Sequence, residues 1–498
     1  MNKSTSCFKS TFVIILILFI FYSRVFSQTW DPEPSLNIAL NQLSYAQAYT
    51  NKSSYPRSTN TDGTIRRVGT SDWTCGFFPG SLWFIYEDTK NSNCQSWAEQ
   101  WSAAIQSQQT NTTTHDLGFM LYSSFGQGFR LTNNATYKSI LLQGAKSLST
   151  RFNPVVGCIK SWDNKPQYTY PVIIDNMMNL EILFWATKVS GDSSYYKIAV
   201  RHALTTMANQ FRPDNSSYQV VDYNPTDGSI ISKTNPQGLN TSSDWARGQA
   251  WGLYGYTVCY RETGDTRFLN IAKKIADFYI AHATIPPNYV PFWDFFATDY
   301  HDASAACVAS SALLELCEYV PENRTTYYNY AINILKSLSS STYIAFVGSN
   351  NDFILKHSVN NKPTNTEVDK PANYADYYYI EAVLRYKKPA PKITATGGNG
   401  QVTLNWNRST GATFYKIKRS SFRGGFYTTI NSYVTNTTYV DRNLQARHTY
   451  YYIVTPSNSI GDGESSAEVG AQTNKKLNAP EIITYSGRKI NVSKIDNL

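Results

Sequence analysis

From about Pro34 to Tyr386 the apolar residues of this chain recur at three- and four-residue intervals with little strict alternation, which predicts a long series of helices. Small polar turns interrupt the series, and each is followed by an aromatic residue and a fresh apolar stripe, as at 87–97, 131–137, 190–196, 263–268 and 321–327. Turns of this kind join antiparallel helix pairs. They fall roughly fifty to seventy residues apart, too far for a small tandem solenoid but suited to helical hairpins with long functional loops. About a dozen helices are expected, and six hairpins closed into a ring make an all-α (α/α)6 toroid with apolar inner helices and amphipathic outer ones. Residues 176–189 fit an inner helix and 268–280 an outer one. The site is expected at one end of the ring, where loops leave the inner helices.

The period changes after Tyr386. Lys387-Lys-Pro-Ala-Pro391 reads as a short stiff linker, and alternation takes over in Gln401-Val-Thr-Leu-Asn-Trp406, Phe414-Tyr-Lys-Ile-Lys-Arg419 and Tyr450-Tyr-Tyr-Ile-Val454. Residues 389–474 resemble a fibronectin type III module, a small all-β sandwich. Trp406 matches the core Trp of its second strand, and Leu444, Tyr450 and the segment 458–466 match its later strands and loop. Residues 475–498 read as a polar linker with a short strand-like tail of unassigned role. At the other end, Lys3 and Lys9 precede the apolar run 12–22, and Val25-Phe-Ser27 before Gln28 has the small-residue spacing of a signal-peptidase site. The run is too short to span a membrane. Residues 1–27 are therefore expected to be a removable signal peptide, residues 28–387 the helical domain, and the product an exported protein of the periplasm or cell surface.

The chain of 498 residues is long enough for a large core and a smaller module. Loss of 1–27 lowers the formal charge from +9 to +6, since Lys3, Lys9 and Arg24 depart and no acid does. That excess favours an acidic ligand, yet no Lys/Arg block marks nucleic-acid binding. Aromatic residues at 14 % against charged residues at 16 % suit clefts lined by rings, and equally an aromatic-rich core. Six cysteines remain after export, at 75, 94, 158, 259, 307 and 317, and several sit in apolar helical context, so mostly free buried thiols are expected. Without a C-x-x-C, an H-E-x-x-H or a His cluster, neither a transition metal nor a cofactor is expected, while scattered oxygen ligands for Ca²⁺ stay open.

The densest chemistry lies in Ser242-Ser-Asp-Trp-Ala-Arg-Gly-Gln-Ala-Trp-Gly-Leu253, where a helix would set Arg247 and Trp251 on one face. A guanidinium fork matches a carboxylate and an indole stacks on a sugar, so the pair suits an anionic ring; the plainer reading is a buried aromatic helix with a satisfied Arg. Asp116, in Thr113-Thr-His-Asp-Leu-Gly-Phe-Met120, and Asp175, in Val172-Ile-Ile-Asp-Asn-Met-Met-Asn-Leu180, each stand where a polar lead-in meets or interrupts an apolar run. Either could be a helix N-cap. A cap needs no His115 beside it and no Asn-Met-Met-Asn after it, however, and if these helix starts converge the two carboxylates face each other.

Taken together, Trp73-Thr-Cys-Gly-Phe-Phe-Pro-Gly-Ser-Leu-Trp83, His115-Asp-Leu-Gly-Phe-Met120, Asp175-Asn-Met-Met-Asn179, Trp245-Ala-Arg-Gly-Gln-Ala-Trp251 and Tyr374-Ala-Asp-Tyr-Tyr-Tyr379 resemble the unsaturated glucuronyl hydrolase family, in order, over most of 35–386. The resemblance implies an enzyme that acts downstream of polysaccharide lyases on acidic oligosaccharides ending in a C4=C5-unsaturated uronic acid, hydrating that vinyl ether instead of displacing the anomeric group. It implies Asp175 as general acid/base, Asp116 as its partner carboxylate, and Trp73, His115, Gln237, Arg247 and Trp251 as substrate-binding residues. Two carboxyls in one partly dry pocket cannot both ionise cheaply, which would keep a proton available near neutral pH. Gln219 stands where many members carry a His, and an amide can hydrogen-bond a hydroxyl or sulfate oxygen without carrying charge. Glycosaminoglycan fragments and rhamnose-linked fragments of ulvan, an algal sulfated polymer, are both open as substrates, with the algal polymer preferred. The alternatives are an inverting (α/α)6 glycosidase acting on saturated oligosaccharides and an inactive carbohydrate-binding protein.

Overall fold

The computed structural model describes residues 30–474 apart from 46–47, 388–390, 408, 410–411, 413, 426, 459–460 and 464, together with 482–485 and 488–491. The expected signal peptide lies outside the described residues. Among them, six helical hairpins form the predicted ring. The inner helices are α2 (Phe77–Thr89), the wide-turned segment Gly118–Gly126 continued by α4 (Gln127–Thr132), α6 (Glu181–Ser190), α8 (Ala246–Thr263), α10 (Ala303–Leu316) and α12 (Asn373–Lys387). The outer ones are α1 (Glu33–Tyr45), α3 (Ser92–Ala103), α5 (Ala135–Ser149), α7 (Ser193–Asn209), α9 (Thr266–Ala281) and α11 (Arg324–Leu338). Each inner helix touches the next, and α12 closes the ring against α2. The burial follows the sequence pattern: every residue of α10 is buried, whereas in α9 only the stripe Phe268, Ile271, Ala272, Ile275, Ala276 and Tyr279 is.

The polar turns are built as caps. Lys90, Asn133, Gly191 and Gly264 end inner helices in the left-handed conformation. At the very next residue the Asn91, Asn134, Asp192 and Asp265 side chains each accept from the backbone two residues on, opening the next outer helix. All these tight connections lie at one end of the ring. The long connections, with their small strand pairs, run from outer to inner helices, so the elaborate face is where loops enter the inner helices, not where they leave them as the pattern suggested. The 176–189 helix is also divided: a tight helical turn, Ile174–Asn179, precedes α6.

Beyond the ring, the described residues of the C-terminal module form two antiparallel sheets. One has the order β1 (Ile393–Gly398), β2 (Gln401–Trp406) and β5 (Thr438–Arg442). In the other, β3 (Phe414–Ser420) lies between β4 (Thr428–Val434) and β6 (Thr449–Asn458), which also pairs with β7 (Gly461–Asp462) and β8 (Val469–Gln472). Val402, Leu404, Trp406, Tyr415, Ile417, Tyr452 and Val454 form the core between them. Ile482–Tyr485 and Arg488–Asn491 pair as a hairpin in the tail. The cysteines at 75, 94, 158, 259, 307 and 317 are buried and form no disulfide among the described residues, and no helix among the described residues is long and apolar enough to cross a membrane.

Candidate active site

The N-terminal ends of all six inner helices meet at the elaborate face, and each brings a polar or aromatic side chain. Trp73 precedes α2, His115 and Asp116 precede Gly118–Gly126, Asp175 lies in the turn before α6, Arg247 is in the first turn of α8, Asp302 is the N-cap of α10, and Tyr374 is in the first turn of α12. Neither of the paired aspartates caps a helix with its side chain. The Asp116 and Asp175 segments are joined directly, for the Asn179 amide oxygen accepts the Phe119 N–H at 2.9 Å. Asn176 is also structural: it donates to the Ile159 carbonyl and accepts from the Ser161 hydroxyl, both at 2.8 Å. The polar surplus after Asp175 thus holds the loops in place and is not part of the chemistry.

One carboxylate oxygen of Asp175 is buried with no hydrogen-bond partner among the described residues. Burial pushes its pKa up to about 7, opposed by Arg247 and reinforced by the negative charge of Asp116. Asp116 is raised too, chiefly by burial, with His115 and a hydrogen bond from Thr114 pulling the other way. His115 places Nδ1 2.8 Å from the Ser161 carbonyl, so Nδ1 carries a hydrogen, and Nε2 stands 3.1 Å from an Asp116 oxygen. That nitrogen is buried and makes no hydrogen bond among the described residues. Burial lowers the His115 pKa, opposed by the neighbouring Asp116 charge. The Asp116 carboxyl remains 15 % exposed, and Asp175 is half-buried, so both reach the mouth.

A pH profile follows from these shifts. With Asp175 as the proton donor, kcat/KM on an unsaturated disaccharide falls as pH rises through about 7, close to tenfold per further unit. The same raised pKa means that the folded state favours the protonated carboxyl. Its stabilisation is present below the ordinary carboxylate range and is lost as pH climbs to about 7. A rate profile flat from pH 6 to 9 would remove Asp175 from the donor role.

Arg247 follows the plainer of its two sequence readings, a satisfied Arg on a buried aromatic helix, and not the open clamp for an anionic ring. Its guanidinium is 2 % exposed and donates to Asp302 at 3.0 Å, to the Asn360 carbonyl at 2.6 Å and to the Val359 carbonyl, with the rings of Trp245 and Tyr374 against it. Its fork is therefore occupied by the hairpin formed by Ser358–Asn361 and Thr366–Lys370 and is not open to a carboxylate. Trp251 shares the helix but is fully buried against Phe119 and Tyr378, so it offers no face to a sugar. Aromatic side chains of neighbouring inner helices pack directly on it there. Trp73 is only half-buried, packed on Phe77, Phe119 and Tyr374, and is the indole nearer the surface. Gln219 is buried, donates to the Gln237 side chain and accepts the Gln237 N–H at 2.8 Å, while Gln237 donates to the Asn360 carbonyl at 3.0 Å. These two amides hold the same hairpin as Arg247.

Sequence reasoning missed Asp302 and the hairpin. Asp302 had a signal, since Asp-Ala-Ser before the apolar run of α10 is a helix start; its side chain caps Ser304 and also accepts from the Val359 N–H. A cavity of about 660 Å³ lies toward the other end of the ring, lined by Tyr254, Arg261, Glu315, Tyr319, Glu381 and Arg385, and does not include the aspartate pair. Its charges are mutually paired, and Arg261 and Arg385 hold Glu315 down to about 2. No group of three or more His, Cys, Asp or Glu able to hold a metal occurs among the described residues.

A toroid of helical hairpins carrying two partly buried carboxyls at one mouth is the frame of a glycoside hydrolase. No protein-family model matches the chain. It is 45% identical over 338 residues to an unsaturated glucuronyl hydrolase of Formosa agariphila, spanning 66% of this chain and 84% of that protein. A solved unsaturated glucuronyl hydrolase specific for heparin is 45% identical with a TM-score of 0.70, covering 71% of this chain and 96% of that one. An unsaturated chondroitin disaccharide hydrolase of Streptococcus agalactiae is 28% identical, covering 72% of this chain and 92% of that protein. The chain belongs to the unsaturated glucuronyl hydrolase family, and it is an enzyme of that kind acting on unsaturated oligosaccharides.

Proposed function

We propose that this chain removes the C4=C5-unsaturated uronic acid from the non-reducing end of lyase-generated acidic oligosaccharides by hydrating the vinyl ether. The observation that carries the reading is the Asp175 carboxyl, raised to about 7 with an unpartnered oxygen beside Asp116. Protonated Asp175 delivers its proton to C4, water adds at C5, and the carboxylate takes a proton back from that water, so one water is consumed and Asp175 is regenerated. The π bond is replaced by a C4–H and a C5–OH bond. The resulting hemiketal opens at C5 to a ketone, and the hemiacetal left at C1 expels the neighbouring sugar. Asp116 is the partner carboxylate, whose charge helps keep the proton on Asp175. Trp73 forms the stacking wall, and Arg247, Gln219 and Gln237 act on substrate through the hairpin they hold.

The neighbouring sugar belongs to a glycosaminoglycan or to ulvan. The likeness to a heparin-specific enzyme makes heparin-derived disaccharide the first substrate to test, ahead of the ulvan fragment that the sequence preferred. The signal-like segment 1–27 supports export, and the two-sheet core around Trp406, with the Tyr450 hydroxyl accepting the Gln445 N–H at 3.2 Å, supports a fibronectin type III module. The expected result on an unsaturated disaccharide is loss of the ultraviolet absorbance of the conjugated double bond in step with release of the second sugar. Release of saccharide with absorbance intact would mean ordinary glycoside hydrolysis instead.

A further inference from the structure

The ring closes where α12 meets α2, and a largely buried ion cluster lies across that seam at the mouth. The strand Tyr55–Thr59, which leads toward α2, packs against the strand Thr366–Lys370, which leads into α12. Neutral hydrogen bonds already join the two sides: the Ser58 hydroxyl donates to the Pro371 carbonyl at 2.7 Å, and the Asn373 amide donates to the Pro56 and Thr74 carbonyls at 2.9 and 3.0 Å. Between Pro56 and Ser58 stands Arg57, its side chain 7% exposed. Its Nη1 donates to both Asp72 oxygens at 2.9 Å, and its Nε and Nη2 donate to the Glu367 carboxylate at 2.9 and 3.2 Å. Such a cluster is a poor way to hold a seam that neutral bonds already close, because burying ions costs about what their pairing returns. What it adds is geometry, since a planar fork fixes two acids in one arrangement.

Each arm of the fork leads to a part of the mouth. Asp72 accepts the Thr74 N–H and hydroxyl at 2.9 and 2.7 Å in the turn that presents Trp73, and the Arg57 guanidinium lies 5.6 Å from the centre of the Trp73 ring. Glu367 belongs to the hairpin whose other strand is held by Arg247 and Gln237. Its φ is +48°, between Asn365 at +52° and Asp369 at +56°. Left-handed backbone at alternate non-glycine residues persists only where the surroundings impose it. Arg57 and Arg66, both on the Glu367 carboxylate at 2.9 and 2.8 Å, impose it there.

We propose that Arg57 is a positioning residue for substrate binding: it ties the turn that carries the Trp73 wall to the hairpin across the seam, and so sets the spacing of these two sides of the mouth. The inference rests on the binding roles given above to Trp73 and the hairpin. Arg57→Lys keeps the charge but cannot bridge both acids, and Glu367→Gln cuts one arm while leaving Arg57 paired with Asp72. KM and kcat are read by release of the second sugar from an unsaturated disaccharide, a readout indifferent to how the bond is cleaved. Both variants are expected to raise KM about tenfold with kcat within about threefold of the parent. In a Trp73→Ala background Arg57→Lys should raise KM by less than about twofold further, because the spacing it sets has lost one side. Glu87→Gln, which breaks the Glu87–Arg130 pair at the tight-turn end, should leave KM unchanged. If Arg57→Lys does not fold, Glu367→Gln, which leaves no buried charge without a partner, decides the matter by itself. An unchanged KM in either folded variant, a fall in kcat as large as the rise in KM, or the same tenfold rise in the Trp73→Ala background would overturn the inference. Sugar release with ultraviolet absorbance intact would count against the proposed function alone and leave the KM comparison standing.

Discussion

Asp175→Asn is expected to lower kcat on an unsaturated disaccharide by about 10²–10⁴-fold while leaving the fold intact, because proton donation and return by a single positioned carboxyl is worth about that much. The substitution is isosteric. It replaces a carboxyl whose buried oxygen has no partner among the described residues with an amide that cannot ionise there. Near neutral pH the variant should therefore unfold at the same or slightly higher denaturant concentration, since the cost of charging Asp175 is gone. Binding of the disaccharide, read by calorimetry, should change by less than about threefold, because the contacts assigned to Trp73 and the hairpin do not run through Asp175. Turnover within threefold of the parent would remove Asp175 from the mechanism. Loss of binding and stability together would make it a structural residue.

Much of this architecture could be read before any coordinates, because the ring is built from local rules. Alternation between helices buried all round, such as α10, and striped ones, such as α9, is a property of single segments, and the Asn91, Asn134, Asp192 and Asp265 caps lie within the turns that the pattern marked. The convergence of the Asp116 and Asp175 segments was legible for the same reason: both stand at starts of inner helices, and a closed ring brings those starts to one end. Which of the two readings of Arg247 holds was not legible. Its acceptors at Val359 and Asn360 lie more than a hundred residues further along the chain, on a hairpin whose position no periodicity reports. Helical spacing correctly sets Arg247 and Trp251 on one side of α8. It cannot say that this side meets Phe119 and Tyr378 in place of solvent.

Gly118→Ala tests how closely the two carboxyl-bearing segments must approach. A Cβ at Gly118 would stand 2.7 Å from both the Asn179 Cα and the Asn179 amide oxygen, the latter being the atom that accepts the Phe119 N–H. Since one neighbour is backbone, the added methyl must push the segment leading from Asp116 away from the turn that carries Asp175. Overpacking of this kind costs about 1–3 kcal/mol of stability, and a displacement near 1 Å between reacting groups costs about 10²-fold in rate. The control is Gly264→Ala, at the tight-turn end of the ring. There φ is +68° and nothing lies within 4 Å, so the substitution strains the backbone without touching the mouth. It should lower stability with kcat unchanged, whereas Gly118→Ala should lower both. If the two variants lose activity only in proportion to their stability, the separation of Asp116 and Asp175 is not what this close glycine contact protects.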